Sequence, residues 1–503
     1  MGSDVILAGM AAVFTPGTLG MIFFGVVLGV IFGVVPGLSA TMAVALCLPI
    51  SFGLPPVQGI SLLLGLYVGG NSGGLITSIL LGIPGTPASI ATVWDGKPMT
   101  DRGEGGKALS VAIFCSLIAC FIGFLFLIFL SPQIARVAIR FSPFEYFAVT
   151  IFSITLISSL TDKNIVKGLL AGLIGMAFAM VGDAPIDSYP RYTFGTSALM
   201  IGFSMLPVML GLYAVAEVLK SAENRGKASI VPQDSVKTDF KMRGLAFGFS
   251  STKEFIQQIP NFIRSSLIGM GIGVLPGIGG ATANIVAYVA AKRRSKYPEK
   301  FGTGIIDGVV APETSNSTVL GGNLVPLLTL GIPGCTVTAL ILGGLMMHQI
   351  VPGPMLFVTN GALVFSVFTA LMLSAVIMYL VQSLGIRVLV KLLTIPKNVL
   401  YSIIIVFCTI GAFANNNRIF DAQAMILFGV LGFIFVKFKF PLPPIILGFI
   451  LAPIAETNLR RGLMLSQGSF TPFITSPIAA VFMAIAALSI IFSVIREIRS
   501  ARK

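Results

Sequence analysis

An all-α integral membrane fold, polytopic and built from two repeats, is predicted by three observations. The chain is 55% hydrophobic and only 10% charged, with a mean hydropathy of +0.96, whereas about a quarter of the residues of a soluble domain are charged. Apolar runs over residues 108–130, 196–216, 361–385 and 477–495 reach or approach the roughly 20 residues that a helix needs to cross the hydrocarbon core, and about a dozen hydrophobic helical segments are expected in all. Finally, Gly33-Val-Val-Pro36-Gly37-Leu-Ser39-Ala-Thr41 returns 240 residues later as Gly273-Val-Leu-Pro276-Gly277-Ile-Gly279-Gly280-Ala281. Each copy is followed by an echo, Leu81-Gly82-Ile83-Pro84-Gly85-Thr86 and Leu330-Gly331-Ile332-Pro333-Gly334-Cys335, so one unit occurs twice.

Residues 1–96 hold no Lys or Arg, and the N-terminus has no basic stretch of the kind that opens a signal peptide. Asp95, Lys97, Asp101, Arg102, Glu104 and Lys107, with four glycines and Pro98 between residues 96 and 106, predict a polar loop. Hydrophobic helices follow to about residue 219. Lys220, Arg225, Lys227, Lys237, Lys241, Arg243 and Lys253 then mark the longest polar stretch, read as a cytoplasmic linker. Beyond it, Arg264 and Lys292-Arg293-Arg294 bracket an apolar stretch interrupted at Pro276-Gly277, the pattern of a hairpin that enters the membrane and turns back. Residues 301–386 are again free of Lys and Arg, and the chain ends in a basic tail. The resulting division is 1–219, first repeat half with associated helices; 220–261, linker; 262–386, second repeat core, inverted relative to the first; and 387–503, C-terminal helices and cytoplasmic tail.

Several function classes fall away. The formal net charge of +14 is explained by Lys and Arg gathered in cytoplasmic loops beside lipid headgroups, so nucleic acid is not expected as a partner. Five cysteines without a CxxC pair and a single histidine, His348, support neither a metal site nor a catalytic triad. An enzyme is therefore not expected, and neither is a cofactor. No Gly-rich loop ending in Gly-Lys-Ser/Thr is present, which removes direct ATP coupling.

Basic residues flank the two copies on opposite sides, so the copies are expected to point in opposite directions across the bilayer. Inverted repeats with Gly/Pro-broken hydrophobic segments at matched places predict a secondary transporter, with substrate bound near the midplane. Each Pro-Gly break is expected to start a half-helix whose free amides attract an anion. Pro36, Gly37, Ser39, Thr41, Gly85, Thr86, Ser89, Gly277, Thr282, Asn284, Gly334, Thr336 and Thr338 therefore become candidates for holding a carboxylate, joined by Asn71, Ser72 and Asn316 on the approaches. Asp307, Glu313 and Asn323 are candidates for the coupling ion, Na⁺ or H⁺, since carboxylates within a membrane are functional candidates by default. Asp183 and Asp187 read as loop residues, Glu456 as an arginine partner and His348 as packing.

These motifs, with Gly70-Asn71-Ser-Gly-Gly74, Trp94-Asp95-Gly-Lys97-Pro98, Ala311-Pro-Glu313-Thr-Ser-Asn316, Pro352-Gly-Pro354 and Glu456-Thr-Asn-Leu-Arg-Arg461, resemble the large membrane subunit of the tripartite tricarboxylate transporters over essentially the whole length. The resemblance implies an ATP-independent symporter of the bacterial inner membrane that carries citrate or related di- and tricarboxylates. It also implies a small membrane subunit and a periplasmic solute-binding protein as partners, and leaves homodimerisation of the complex open. Elevator-type alternating access is the motion that similar transporters suggest. Cys335 stands where a serine is common in the family. Two readings compete with this one: the large subunit of another binding-protein-dependent, ATP-independent organic-acid transporter, and a polytopic membrane enzyme.

Overall fold

The computed structural model describes residues 3–35, 38–161, 165–223, 249, 251–392 and 397–501. It is helical almost throughout. In order come α1 (Ser3–Val13), α2 (Pro16–Val34), α3 (Ala40–Phe52), α4 (Pro56–Leu81), a 3₁₀ turn (Pro87–Ser89) leading into α5 (Ile90–Asp101), α6 (Gly105–Ala138), α7 (Pro143–Thr161) and α8 (Ile165–Ala179). A two-stranded ribbon, β1 (Gly182–Asp183) with β2 (Pro190–Arg191), precedes α9 (Met205–Met209) and α10 (Ala216–Glu223). Then follow α11 (Thr252–Val274), α12 (Gly279–Arg294), α13 (Asp307–Leu330), α14 (Thr336–Met347), α15 (Leu356–Thr359) and α16 (Gly361–Leu392). The chain closes with α17 (Lys397–Asn416), α18 (Ile419–Lys437), α19 (Leu442–Leu465), α20 (Thr471–Thr475) and α21 (Pro477–Ala501). Among the described residues, six helices are long and apolar enough to cross a membrane, and six shorter apolar ones of 10–17 residues accompany them.

The chain forms two compact units. The first joins residues 1–133 and 226–400, the second residues 134–225 and 401–503. Both are discontinuous, whereas the sequence reading divides the chain into consecutive segments. Most of the linker, residues 224–248, lies outside the described residues.

In the first unit the repeat is visible helix by helix: α2, α3, α4 and α5 match α11, α12, α13 and α14. Small residues set the packing. A Cβ on Gly25 would lie 2.5 Å from Leu62 O, one on Gly29 2.6 Å from Leu66 O, and one on Gly33 2.5 Å from Gly70 O. The constant step along both chains makes α2 and α4 parallel neighbours at backbone contact. The second copy repeats this, with Gly269 against Ser315 and Thr318 and Gly273 against Val319 and Gly322. Because α2 and α4 run the same way, the short α3 between them must return, and α12 does the same between α11 and α13. The caps repeat as well. Gly82 and Gly331 end α4 and α13 with φ of 70° and 73°, the left-handed conformation that glycine adopts without strain.

Two exchanges lock the copies together. The broken helix α14 packs on α3, and the turn into α5 packs on α12. α6, which follows the first copy, lies on the second, where Gly123 meets Thr318 and Gly321. α16, which follows the second, lies on α2 and α4, and Gln382 Nε2 donates to Ser72 Oγ at 3.1 Å. As a result α4 from Gly59 and α13 from Gly308 are buried along nearly their whole length.

The second unit is built from α7 to α10 and α17 to α21. Close backbone approach recurs, with Gly172 and Gly175 of α8 against Gly448 and Ile445 of α19. Arg191 in the ribbon donates to both oxygens of Glu456, at 2.7 and 3.2 Å. Arg460 bridges Glu456 and Asp187, each at 2.9 Å, and its hydrogen bond holds the Asp187 carboxyl below the usual value.

Two expectations need correction. The run at residues 196–216 is not one spanning helix: residues 197–199 form a 3₁₀ turn, Gly202 has φ of 73°, and the helix starts only at Met205. Composition there is apolar, but the left-handed glycine turn cannot sit inside a helix. The polar stretch after Gly96 is not a loop either, since α5 continues to Asp101 despite Pro98. The helix persists through its glycine and proline because buried Asp95 ties it to Tyr288 and to the backbone of residues 302–305.

Candidate functional site

Local sequence decides where each broken helix restarts. α2 stops at Val34 before Pro36, as a residue ahead of proline avoids the helical region, and Ser39 Oγ accepts from Met42 N at 3.2 Å to start α3. In the matched second pair the cap is a shared device. Thr86 N donates to Ser89 Oγ at 3.3 Å, and Cys335 N donates to Thr338 Oγ1 at 2.8 Å, two capping boxes at equivalent positions.

The restarted helices meet in two parallel pairs, each with one member from each copy. In the first, Thr41 Oγ1 on α3 lies 3.5 Å from Thr336 Oγ1 on α14. In the second, α12 starts beside the turn into α5, where a Cβ on Gly280 would lie 3.0 Å from Ala88 Cβ and from Asn316 Oδ1. The pair continues through Ala91 N to Asn284 Oδ1, 2.8 Å, and Tyr288 Oη to Asp95 Oδ2, 2.8 Å. All these starts pack on the middles of α4 and α13. Gly70 touches Ala40, Gly74 touches Thr86, and Gly334 touches Asn323.

The two central helices are themselves joined there. Asn71 Nδ2 donates to Asn316 O at 3.1 Å and to Asn316 Oδ1 at 3.0 Å, and Tyr67 Oη donates to Leu320 O at 3.4 Å. Asn323 Nδ2 donates to Tyr67 Oη at 3.1 Å. Free amides at the helix starts, hydroxyls and amide side chains surround this centre, and none of the residues named here is Lys or Arg. Such donors suit an anion with several oxygens. Ser39, Thr41, Cys335 and Thr336 are only half-buried, unlike Asn316 and Asn323 beside them.

Of the predicted residues, Ser39, Thr41, Asn71, Gly85, Thr86, Gly277, Asn316, Asn323, Gly334 and Thr336 gather here; Gly277 N donates to Gly334 O at 2.7 Å. Pro36 and Gly37 lie outside the described residues. Ser72 is turned to Gln382 on α16. Asp307 sits in the first turn of α13, accepting from Gln258 Nε2 at 3.0 Å, about 14 Å along the helix from Asn316 at 1.5 Å per residue. Glu313 is fully buried, and Thr92 Oγ1 donates to its Oε1 at 2.5 Å. His348 closes α14 against Gly59.

Sequence reasoning missed Tyr67 as part of this centre, and Thr92 and Asp95 further along the α5 and α12 pair, outside it. Asp95 is fully buried and accepts from Gly302 N, Gly304 N and Ile305 N at 2.9, 2.7 and 3.0 Å. The signal was there for Tyr67, which occupies the position in the first copy that Asn316 holds in the second.

Broken helices whose starts converge within one unit of a chain with six membrane-length helices are the build expected of a membrane transport protein. The chain belongs to the tripartite tricarboxylate transporter TctA family, whose profile matches residues 19–447. It is similar to an uncharacterized 52.8 kDa protein in the TAR-I ttuC' 3'region of Agrobacterium vitis, 33% identical over 494 residues, 98% of this chain and 96% of that one. A second relative, an uncharacterized protein in the TAR-II ttuC' 3'region of the same organism, is 37% identical over 234 residues, 46% of this chain and 97% of that one. No solved structure matches.

Proposed function

We propose that this chain is the large membrane subunit of an ion-gradient-driven importer of citrate or related di- and tricarboxylates in the bacterial inner membrane, working with a small membrane subunit and a periplasmic solute-binding protein. The observation that carries the reading is the gathering of the broken-helix starts around Asn71 and Asn316, where amides and hydroxyls, without a fixed cation, offer a reversible carboxylate site. Reversibility matters in transport, because a solute held by a buried ion pair leaves slowly.

The reading includes an inverted arrangement of the copies, and two hydrogen bonds support it. Counted along the repeat, Asn71 matches Leu320 and Tyr67 matches Asn316, so the bonds Asn71 to Asn316 and Tyr67 to Leu320 are images of one another. As one moves along α4 from 67 to 71 the partner on α13 moves back from 320 to 316, the signature of an antiparallel crossing. Inverted repeats carry alternating access when one group of helices moves against another, here in an elevator-type motion driven by Na⁺ or H⁺.

Uptake of labelled citrate into proteoliposomes holding this chain and its small subunit tests the proposal. Accumulation is expected only with the binding protein present and an imposed Na⁺ or proton gradient. Failure of a panel of di- and tricarboxylates under every gradient would overturn the substrate class.

A further inference from the structure

The two copies are not chemically equivalent at depth. Glu313 on α13, Thr92 on α5 and Asn284 on α12 form one buried cluster: Thr92 Oγ1 donates to Glu313 Oε1, Asn284 Nδ2 donates to Thr92 Oγ1 at 3.4 Å, and Asn284 Oδ1 is fixed by Ala91 N. The matched positions of the other pair are Leu64, Ile341 and Val44. The polar cluster therefore exists once, in the α5 and α12 pair, and the α3 and α14 pair is apolar at the same depth.

Glu313 Oε2 is buried without a hydrogen-bond partner, and among the described residues no Lys or Arg forms an ion pair with this carboxyl. The other groups around it are engaged elsewhere. Asp95 on α5 is held by Tyr288 of α12 and three backbone amides, Arg264 on α11 donates to Asn261 Oδ1 at 2.6 Å, and Tyr67 on α4 bonds to Leu320 and Asn323. Cys115 on α6 is the remaining titratable neighbour. A lone ionised carboxylate in such surroundings is strongly disfavoured. Thr92 holds Oε1, and Oε2, buried and without a partner, is the oxygen free to take a proton.

We propose that Glu313 carries the coupling proton, with Thr92 and Asn284 as positioning residues. The proton binds at Oε2, turning carboxylate to carboxylic acid, while Oε1 stays with Thr92; it leaves to water on the other side when the helix pairs separate. The proposal rests on the transport reading above and narrows its ion to H⁺ and its carrier to one of three candidates.

The test compares wild type with Glu313→Gln in proteoliposomes holding the whole complex. Accumulation driven by a pH gradient is expected to fall about tenfold or more, while exchange of substrate at equal pH stays within about threefold. Unchanged accumulation, or equal loss of both activities in a folded variant, would overturn the proposal, as would wild-type accumulation driven by a Na⁺ gradient and not by a pH gradient. Should Glu313→Gln fail to fold, Thr92→Ala must lose pH-driven accumulation with exchange retained, and Thr92→Ser must restore it; any other pattern contradicts the assignment. If wild type carries no carboxylate, the transport reading fails by itself. The thermal unfolding midpoints of the purified chain from mildly acidic to mildly alkaline pH then decide: a pH dependence flattened in Glu313→Gln supports the proton site, and identical profiles overturn it.

Discussion

Asp95 takes hydrogen bonds from three backbone amides and from Tyr288 Oη, tying α5 of the first copy to the segment that leads into α13 of the second. Removal of this acceptor leaves several buried donors unpaired, each at a cost of about 1–3 kcal/mol. Asp95→Ala is therefore expected to lower the thermal unfolding midpoint sharply, and Asp95→Asn, which keeps one carbonyl oxygen, less so. Equal effects would mean that the charge and not the acceptor geometry matters. Thr336→Val keeps shape and removes a donor at the half-buried centre. It is expected to weaken apparent substrate affinity by about 1 kcal/mol, roughly fivefold, with the expression level unchanged. At this scale the sequence was partly legible. Small polar residues following a Pro-Gly break announced themselves, whereas Asp95, beside Gly96 and Pro98, resembled a loop residue because nothing local reveals donors that arrive from 200 residues away.

Helix packing turns on glycine. Gly271 and Gly273 lie two positions apart in α11, yet a Cβ at Gly271 would meet nothing within 4 Å, whereas at Gly273 it would lie 2.8 Å from Gly322 Cα and 2.9 Å from Val319 O. Gly271→Ala is expected to be neutral or stabilising by up to about 1 kcal/mol. Gly273→Ala must push α11 from α13 and is expected to destabilise by about 1–3 kcal/mol, read as the difference in unfolding midpoint of the detergent-purified chain. Similar midpoints for the two variants would deny the close packing. The breaks that separate α2 from α3 and α11 from α12 were legible because a Pro-Gly pair in an apolar run removes an amide donor and frees the backbone, which ends a helix. The failure at residues 196–216 has the opposite cause: hydropathy reports burial or lipid contact and is blind to a left-handed turn such as Gly202.

Across the molecule, the doubling of the sequence motifs was the clearest sign of architecture, and it extends to caps, glycine contacts and swapped helices α6 and α16. What the sequence could not show is that the discontinuous segments 1–133 and 226–400 form one unit, since that depends on contacts between distant parts of the chain. The centre that this unit builds is the claim on which the functional account stands. Among the five cysteines only Cys335 is not buried, and it sits at the start of α14 beside Thr336. The most direct measurement is the rate of Cys335 alkylation by a maleimide in the reconstituted complex, with and without saturating citrate and the binding protein. The account expects carboxylate to slow labelling several-fold and a neutral sugar to leave it unchanged. Identical rates with and without a carboxylate that the same preparation transports would place the substrate elsewhere and contradict it.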